Sequence, residues 1–183
     1  RCRRAAKFHI DEYGKLLDQI IGKEDRILLL KEACNPRGDV SEQEIVIIRH
    51  DIDHDLNTAL EIAKWEYANN IRSTFCVLHS AWYYGELKEG SYFRDRALLP
   101  VLKQIQDYGH EINLHNNLLS HWLMGLVNPS EVLERELEFL RDGGIAIEGT
   151  SSHGDALCRE HDFSNIELFS GRSWDSSGGD RII

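Results

Sequence analysis

The chain has 183 residues, of which 42% are hydrophobic and 28% charged, a composition typical of one globular domain with a substantial core. Its net charge of −10 argues against a nucleic-acid partner or an anionic membrane surface, because both would repel it. A neutral or cationic ligand is favoured instead.

The four cysteines are far apart and form no CxxC pair, so neither a zinc knuckle nor a disulfide framework is indicated. No stretch approaches the ~20 apolar residues of a membrane span, and no apolar signal-peptide core follows the basic start. We therefore expect a cytoplasmic protein in a reducing compartment. The first residue, Arg1, and the closing "GGDRII" lead us to expect a fragment of a longer protein.

Residues 1–40 are predicted to be an N-terminal accessory helical segment, because two short amphipathic stretches occupy residues 9–33. The remaining residues, 41–183, are predicted to form the main α/β domain, truncated at its C-terminus. Its first strand is the β-branched run at residues 45–48. A helix begins near Leu56, where apolar residues recur with helical spacing.

A second strand is predicted at residues 71–78, and a loop rich in aromatic residues follows at 80–93. The pattern then repeats, with a helix at 95–107, a strand at 110–115 and a helix that begins with Asn128 as N-cap and Pro129. A fourth strand is predicted at 145–148. Strands that alternate with helices in this way predict a parallel sheet, in either a doubly wound fold or a (β/α) barrel.

Polar residues follow the predicted strands at the points where the strands end. The stretch "EIVIIRHDIDHD" at residues 44–55 passes from four buried-type residues to three aspartates and two histidines. Asp51 and Asp53 point to the same side if the strand continues, because side chains alternate along a strand. His115 ends the third strand and His153 follows the fourth. The carboxyl ends of parallel strands open at one edge, so these side chains are expected to converge.

Two carboxylates at this spacing repel each other unless a cation or a proton lies between them. One carboxylate with two histidines suits zinc, and the neighbouring carboxylate is then free to act as a general base. The alternative is a polar strand end satisfied by the protein itself. His50 and His54 have the opposite parity and are predicted to pack or to support the ligands. Three further histidines are predicted to be surface or loop residues: His9, His79 and His161.

Two ordered motifs, "RHDIDHD" at residues 49–55 and "GHEINLHNN" at 109–117, resemble those of the polysaccharide deacetylase (NodB-homology) family. The first is similar to the HD-x-D variant of the family's aspartate motif, and the second is similar to its histidine motif. The resemblance covers about residues 44 to 155. It implies a distorted or partial (β/α) barrel.

The family resemblance also implies an activity, namely hydrolysis of a non-peptide C–N (amide) bond with a divalent metal, most often zinc. The typical reaction removes an N-acetyl group from an amino sugar or polysaccharide. By resemblance, Asp51 is the catalytic base, while Asp53 and His115 are metal ligands.

The third metal ligand is where the sequence departs from the family pattern. The family's second motif carries another histidine four residues after the first, and Leu119 occupies that position here. His121 and His153 are the two candidates. We favour His153 because a strand end fixes its direction, whereas His121 is predicted to lie in a loop. The general acid is not assigned.

The aromatic stretch "AWYYG" at residues 81–85 is either part of the core or a platform for a sugar ring. On the second interpretation, Trp82 and Tyr83 bind substrate. Two alternative functions are kept open. One is an allantoinase-like amide hydrolase, and the other is a catalytically inactive carbohydrate-binding barrel, which the missing histidine at residue 119 favours.

Overall fold

The structure of the chain is a computed structural model. The structure describes residues 9–22, 26–34, 45–89, 91–123, 129–170, 173–174 and 181–182. The predicted cap at Asn128 and the first eight residues lie outside these ranges.

Helices and strands alternate along most of the described chain. The helices are α1 (Ile10–Ile20), α2 (Leu30–Cys34), α3 (Leu56–Ala68), α4 (Leu98–Asp107), α5 (Leu118–Leu123), α6 (Pro129–Asp142) and α7 (Ala156–Glu160), followed by a 3₁₀ helix (Asn165–Ser170). The strands are β1 (Arg26–Leu28), β2 (Ile45–Ile47), β3 (Arg49–Ile52), β4 (Thr74–Leu78), β5 (Gly85–Lys88), β6 (Ser91–Arg94), β7 (Glu111–Asn116), β8 (Ile147–Ser152), β9 (Ser173–Trp174) and β10 (Arg181–Ile182). Within the described ranges, none of the helices has the length and apolar character that crossing a membrane requires.

The central sheet has four parallel strands in the order β3-β4-β7-β8, which confirms the predicted parallel α/β architecture. At its carboxyl end, His115 pairs with Leu78 on one side and with Ser151 on the other. The other strands in the described part of the chain form three separate two-stranded sheets, so a closed barrel is not formed there. The sheet therefore establishes the α/β class, and the barrel stays a prediction.

Strands β4 and β7 are buried along their whole length, as expected for central strands of a parallel sheet covered on both faces. The main core contains Leu102 and Ile105 of α4, Leu140 of α6 and residues of α3. Strand β7 nevertheless carries polar side chains, and one of them, Glu111, is buried with a hydrogen bond of 2.8 Å from the Thr74 hydroxyl. A buried polar group needs such a partner.

The N-terminal segment packs against the main domain through a smaller cluster. Tyr13 and Leu17 of α1 lie against Ile48 and Trp65. The second predicted amphipathic helical stretch, near residues 27–30, is instead strand β1 followed by the short helix α2. This prediction was wrong because β1 pairs in parallel with β2, which offers its main-chain groups as partners.

The first strand of the sheet was predicted at residues 45–48, but that run forms β2, which pairs with β1, and the central sheet uses β3 instead. This prediction was wrong because the chain continues in an extended form past the apolar run.

Three other boundaries differ from the sequence prediction. The loop at 80–93 contains the antiparallel hairpin of β5 and β6. The second strand begins at Thr74 rather than residue 71. The fourth strand runs from Ile147 to Ser152, later than predicted, and passes through Gly149. A Cβ at Gly149 would lie 3.0 Å from the Asn113 Oδ1 atom, so glycine allows β8 to approach β7 there.

Candidate metal centre

Three residues from separate segments meet at the carboxyl end of the central sheet: Asp53 after β3, His115 on β7 and His153 after β8. The His115 Nε2 atom lies 3.1 Å from the His153 Nδ1 atom and 4.0 Å from the Asp53 Oδ1 atom. The distance from His153 Nδ1 to Asp53 Oδ1 is 3.9 Å. All three ligand atoms lie within 4.8 Å of one another, which is a grouping that can hold a metal ion.

The His115 ring is oriented by strand β8. Its Nδ1 atom lies 3.1 Å from the Ser151 carbonyl oxygen and 3.0 Å from the Ser151 hydroxyl. Because a carbonyl oxygen only accepts hydrogen bonds, Nδ1 carries the proton and Nε2 keeps its lone pair. Burial lowers the pKa of His115, which keeps the ring neutral at pH 7. A neutral imidazole with a free Nε2 is the form that binds a metal.

The residues fit a divalent metal in their spacing and in the polar group that they leave unpaired. The Asp53 Oδ1 atom is buried and has no hydrogen-bond partner among the residues that the structure describes. An unpaired buried carboxylate oxygen is costly, and a cation beside it removes that cost. Zinc bonds of about 2.0–2.1 Å in a tetrahedral site place neighbouring ligand atoms about 3.3 Å apart, close to the spacing of the three atoms.

Asp51 lies beside this group, but its oxygens are held elsewhere. The Arg49 guanidinium donates to Asp51 Oδ1 at 2.6 Å and to Oδ2 at 2.9 Å, a paired geometry that fixes the carboxylate. The Asp51 Oδ2 atom remains 3.7 Å from His115 Nε2. The two aspartates of the first motif therefore have different surroundings.

His121, the alternative third ligand, lies away from Asp53 and His115 in a second buried group with His79 and Glu136. It is part of helix α5 rather than a loop. Its ring centroid is 4.3 Å from that of His79 and 4.6 Å from that of Tyr92. Burial lowers the pKa of His121 to about 4 and holds that of His79 well below its ordinary value, so both rings are neutral.

Part of this second group is engaged by protein partners. The His79 Nε2 atom accepts a hydrogen bond of 2.8 Å from the Asn117 backbone N–H, so its neutral ring carries the proton on Nδ1. Both Glu136 oxygens accept hydrogen bonds from Arg94, at 2.6 and 2.7 Å. The Glu136 carboxylate and one nitrogen of His79 are thus engaged by the protein, whereas the buried His79 Nδ1 atom has no hydrogen-bond partner among the described residues. His79 was predicted to be a surface or loop residue, and it is fully buried.

A buried acid that the sequence prediction missed is Glu66 of α3, which is inaccessible to solvent. Its carboxylate accepts from the Tyr13 hydroxyl, from the Ser73 hydroxyl at 2.6 Å and from His50 Nε2 at 2.8 Å. Burial opposes its ionisation, but these hydrogen bonds lower its pKa overall. Its position on the apolar face of α3, three residues after Ala63, was the available signal.

The two predicted substrate-binding aromatic residues are placed differently. Trp82 is 75% exposed and lines a cleft of about 650 Å³ together with Phe93 and Asp55. Tyr83 is buried, and its hydroxyl donates to the Ile52 carbonyl oxygen and accepts from the Leu78 N–H at 3.1 Å. Tyr83 therefore joins the ends of β3 and β4, while Trp82 presents its ring to solvent.

No family model matches the chain, and no match was found among curated proteins or among solved structures. The likeness to the polysaccharide deacetylase family therefore rests on the two sequence motifs. The function has to be argued from the residues at the carboxyl end of the sheet.

Proposed function

We propose that this chain is a metal-dependent hydrolase of non-peptide C–N bonds that removes the N-acetyl group of an amino sugar or polysaccharide. The observation that carries the proposal is the convergence of Asp53, His115 and His153 around an unpaired carboxylate oxygen. The four-stranded parallel sheet is proposed to be part of a distorted (β/α) barrel of the polysaccharide deacetylase type.

Zinc is the proposed metal, because one carboxylate and two imidazoles are a donor set that zinc uses in catalytic sites. Bound there, zinc would polarise the amide carbonyl and make water more acidic. Asp53 would supply the negative charge, and His115 would bind through Nε2, since its Nδ1 is engaged by Ser151.

Asp51 is the proposed general base. Its bidentate pairing with Arg49 keeps the carboxylate beside the ligand group without joining it. In the reaction, Asp51 takes a proton from water as the water oxygen bonds to the acetyl carbon. The C–N bond then breaks, and the nitrogen leaves as an amine after it takes up a proton that balances the one Asp51 removed from water, so that Asp51 returns to its ionised form. The products are acetate and the free amino sugar.

Trp82 is the proposed contact for a sugar ring. An exposed indole on the wall of a cleft provides a flat apolar surface that can stack against a carbohydrate. An N-acetylated sugar is neutral, so the negative charge of the chain does not oppose its binding.

The proposal is tested by metal content and product release in the same preparation. Protein purified without added metal is expected to contain, or to take up, one zinc ion per chain. The zinc-loaded protein should release acetate and a free amine from at least one member of a panel of N-acetylated sugars. The His54→Ala variant is the matched control, because His54 is an exposed histidine of the same motif outside the ligand group.

Ammonia release from a cyclic amide in place of acetate would favour the allantoinase-like reaction. Failure to bind zinc under any of these conditions would contradict the proposal. Retained sugar binding in that case would point to the carbohydrate-binding barrel.

A further inference from the structure

Asn165 is fully buried at the start of the 3₁₀ helix, and its side-chain amide joins two segments at the carboxyl end of the sheet. Its Oδ1 atom accepts a hydrogen bond of 2.9 Å from the Leu119 N–H. Its Nδ2 atom donates to the His153 carbonyl oxygen at 2.7 Å. Because an N–H only donates and a carbonyl oxygen only accepts, these two partners fix the orientation of the amide.

The Asn165 amide also donates a second hydrogen bond, to the side chain of Asn117. Nδ2 lies 3.3 Å from the Asn117 Oδ1 atom, and the Asn117 amide in turn donates to the Asp155 carboxylate at 2.8 Å. Asp155 caps α7 by accepting from the Cys158 N–H. Hydrogen bonds from Asn117 and from the α7 backbone lower the pKa of Asp155 against the effect of burial, which keeps it charged.

His153 depends on this network because it lies outside regular structure. Strand β8 ends at Ser152 and α7 begins at Ala156, so the main-chain pairing with β7 reaches residue 153 only through its N–H. Its N–H donates to the Asn116 carbonyl oxygen at 2.8 Å, and its carbonyl accepts from Asn165. The main chain of Asn116 thus holds the N–H of His153, and the side chain of Asn165 holds its carbonyl oxygen.

We propose that Asn165 is a positioning residue for the third ligand of the metal centre, a role that rests on the proposed function. Its amide holds the His153 peptide so that the imidazole Nδ1 faces His115 Nε2 and Asp53 Oδ1. Loss of an outer partner that orients a metal-binding histidine typically weakens metal binding about 10–100-fold. The Asn165 amide bonds to Leu119, His153, Asn117 and the Cys158 sulfur, and none of these partner atoms is a proposed ligand atom, so it acts through the main chain of His153.

Cobalt(II) titration monitored by visible absorption is the first measurement, because cobalt replaces zinc and its spectrum reports ligand geometry. Asn165→Ala removes the amide. Asn165→Asp keeps the side-chain shape and the acceptor for the Leu119 N–H, but faces the His153 carbonyl with an oxygen when ionised. The matched control is Asn69→Ala, which removes a similar amide-to-carbonyl bond, of 2.8 Å to Trp65, at the opposite end of the sheet.

The second measurement records the imidazole nitrogen NMR signals of the metal-free protein. The proposal predicts at least a tenfold loss of cobalt affinity in both Asn165 variants, with wild-type affinity in Asn69→Ala. The signals of His153 and His115 should shift, while those of His110, near the amino end of β7, stay unchanged.

Wild-type cobalt binding in the Asn165 variants would overturn the positioning role and leave the metal centre standing. Equal shifts at His110 would reveal a general structural role and would also overturn it. If the unmodified protein binds no metal, the proposed function fails, and the NMR signals alone test the positioning role of Asn165. Unchanged His153 signals in the Asn165 variants would overturn that role. Changes confined to His153 and His115 would support it.

Discussion

The Nε2 atom of His115 lies 3.1 Å from the Nδ1 atom of His153, although the two residues are 38 positions apart in the chain. Their rings are nearly perpendicular, with centroids 4.9 Å apart. Two imidazole nitrogens at this distance need either a proton or a metal cation between them, because two facing lone pairs repel. Asp53, within 4.0 Å of both nitrogens, adds a negative charge that would stabilise a positive charge between them.

Substitution of Asp51 and Asp53 one at a time should distinguish the general base from the metal ligand. Asp53→Asn is expected to lose both zinc and hydrolysis, because a neutral amide no longer balances the charge of the ion. Asp51→Asn is expected to keep zinc and lose turnover, because an amide cannot accept the proton from water. Zinc content and acetate release measured side by side check this. Equal zinc loss in both variants would mean that the two carboxylates are joint ligands.

The third ligand is tested by a pair of histidine variants. His153→Ala should lower zinc affinity by more than the ~10–100-fold typical of an outer partner, since a direct bond is removed. His121→Ala should leave zinc affinity within a few-fold of wild type, because His121 packs against His79 instead. Competition with a chromogenic chelator measures both. The reverse order would assign His121 to the metal, and intact zinc with slow turnover in His153→Ala would indicate substrate binding.

The stability of the metal-free protein should fall as the pH drops below 6.5. His79 and His121 have folded-state pKa values below the ordinary 6.5, so the unfolded chain takes up protons first and acid favours unfolding. The carboxylates with lowered pKa, Glu66 and Asp155, have ordinary values of 4.5 and 3.8, so their contribution is lost only at lower pH.

For His121 alone, whose pKa falls to about 4, the loss between about pH 8 and about pH 5 should be about 2 kcal/mol. Urea unfolding with a chelator present measures it. The His121→Phe variant keeps a ring against His79 and should flatten the pH dependence by that amount. An unchanged slope in this variant would show that His121 titrates normally in the folded state.

Tyr13→Phe tests the attachment of the N-terminal helix. The change removes the hydroxyl that donates to the buried Glu66 carboxylate, and the loss of such a donor to a buried charge costs about 1–3 kcal/mol. Tyr67→Phe is the matched control, because Tyr67 is 56% exposed. In urea unfolding, the free energy of unfolding of Tyr13→Phe should be well below that of Tyr67→Phe. Equal stabilities would mean that Ser73 and His50 satisfy Glu66 without help.

Substitution of Trp82 should affect substrate binding, whereas substitution of Tyr83 should affect the stability of the fold. Trp82→Ala is expected to raise KM several-fold for a sugar oligomer without a change in stability, because the ring is exposed at the cleft. Tyr83→Phe should destabilise the fold by about 1–3 kcal/mol, because the Leu78 N–H loses its acceptor, and leave KM unchanged. Thermal unfolding and steady-state kinetics check the pair. A KM effect in Tyr83→Phe alone would reverse the assignment.

The sequence by itself was enough to predict the parallel α/β architecture and three of the four strands of the central sheet. The run at residues 45–48, predicted as the first strand of that sheet, forms β2 beside β1, and the sheet uses β3 instead. The features that were predicted depend on local periodicity, such as the helical spacing of residues 56–67. The same local rule, alternation of side chains along a strand, indicated that Asp51, Asp53 and His115 lie at one edge. Boundaries were less accurate, because the hairpin of β5 and β6 has no regular apolar alternation.

Only the tertiary structure decided which of the remaining polar residues are buried and what they contact. His121 and His153 are both close in sequence to the strand ends, yet packing places His121 against His79, while an asparagine network holds His153 beside His115. The burial of Glu66 depends on the packing of α1 against α3, where Tyr13 bonds to its carboxylate. Such placements depend on hydrogen bonds between segments 12 to 53 residues apart, and a single sequence carries no record of those distances.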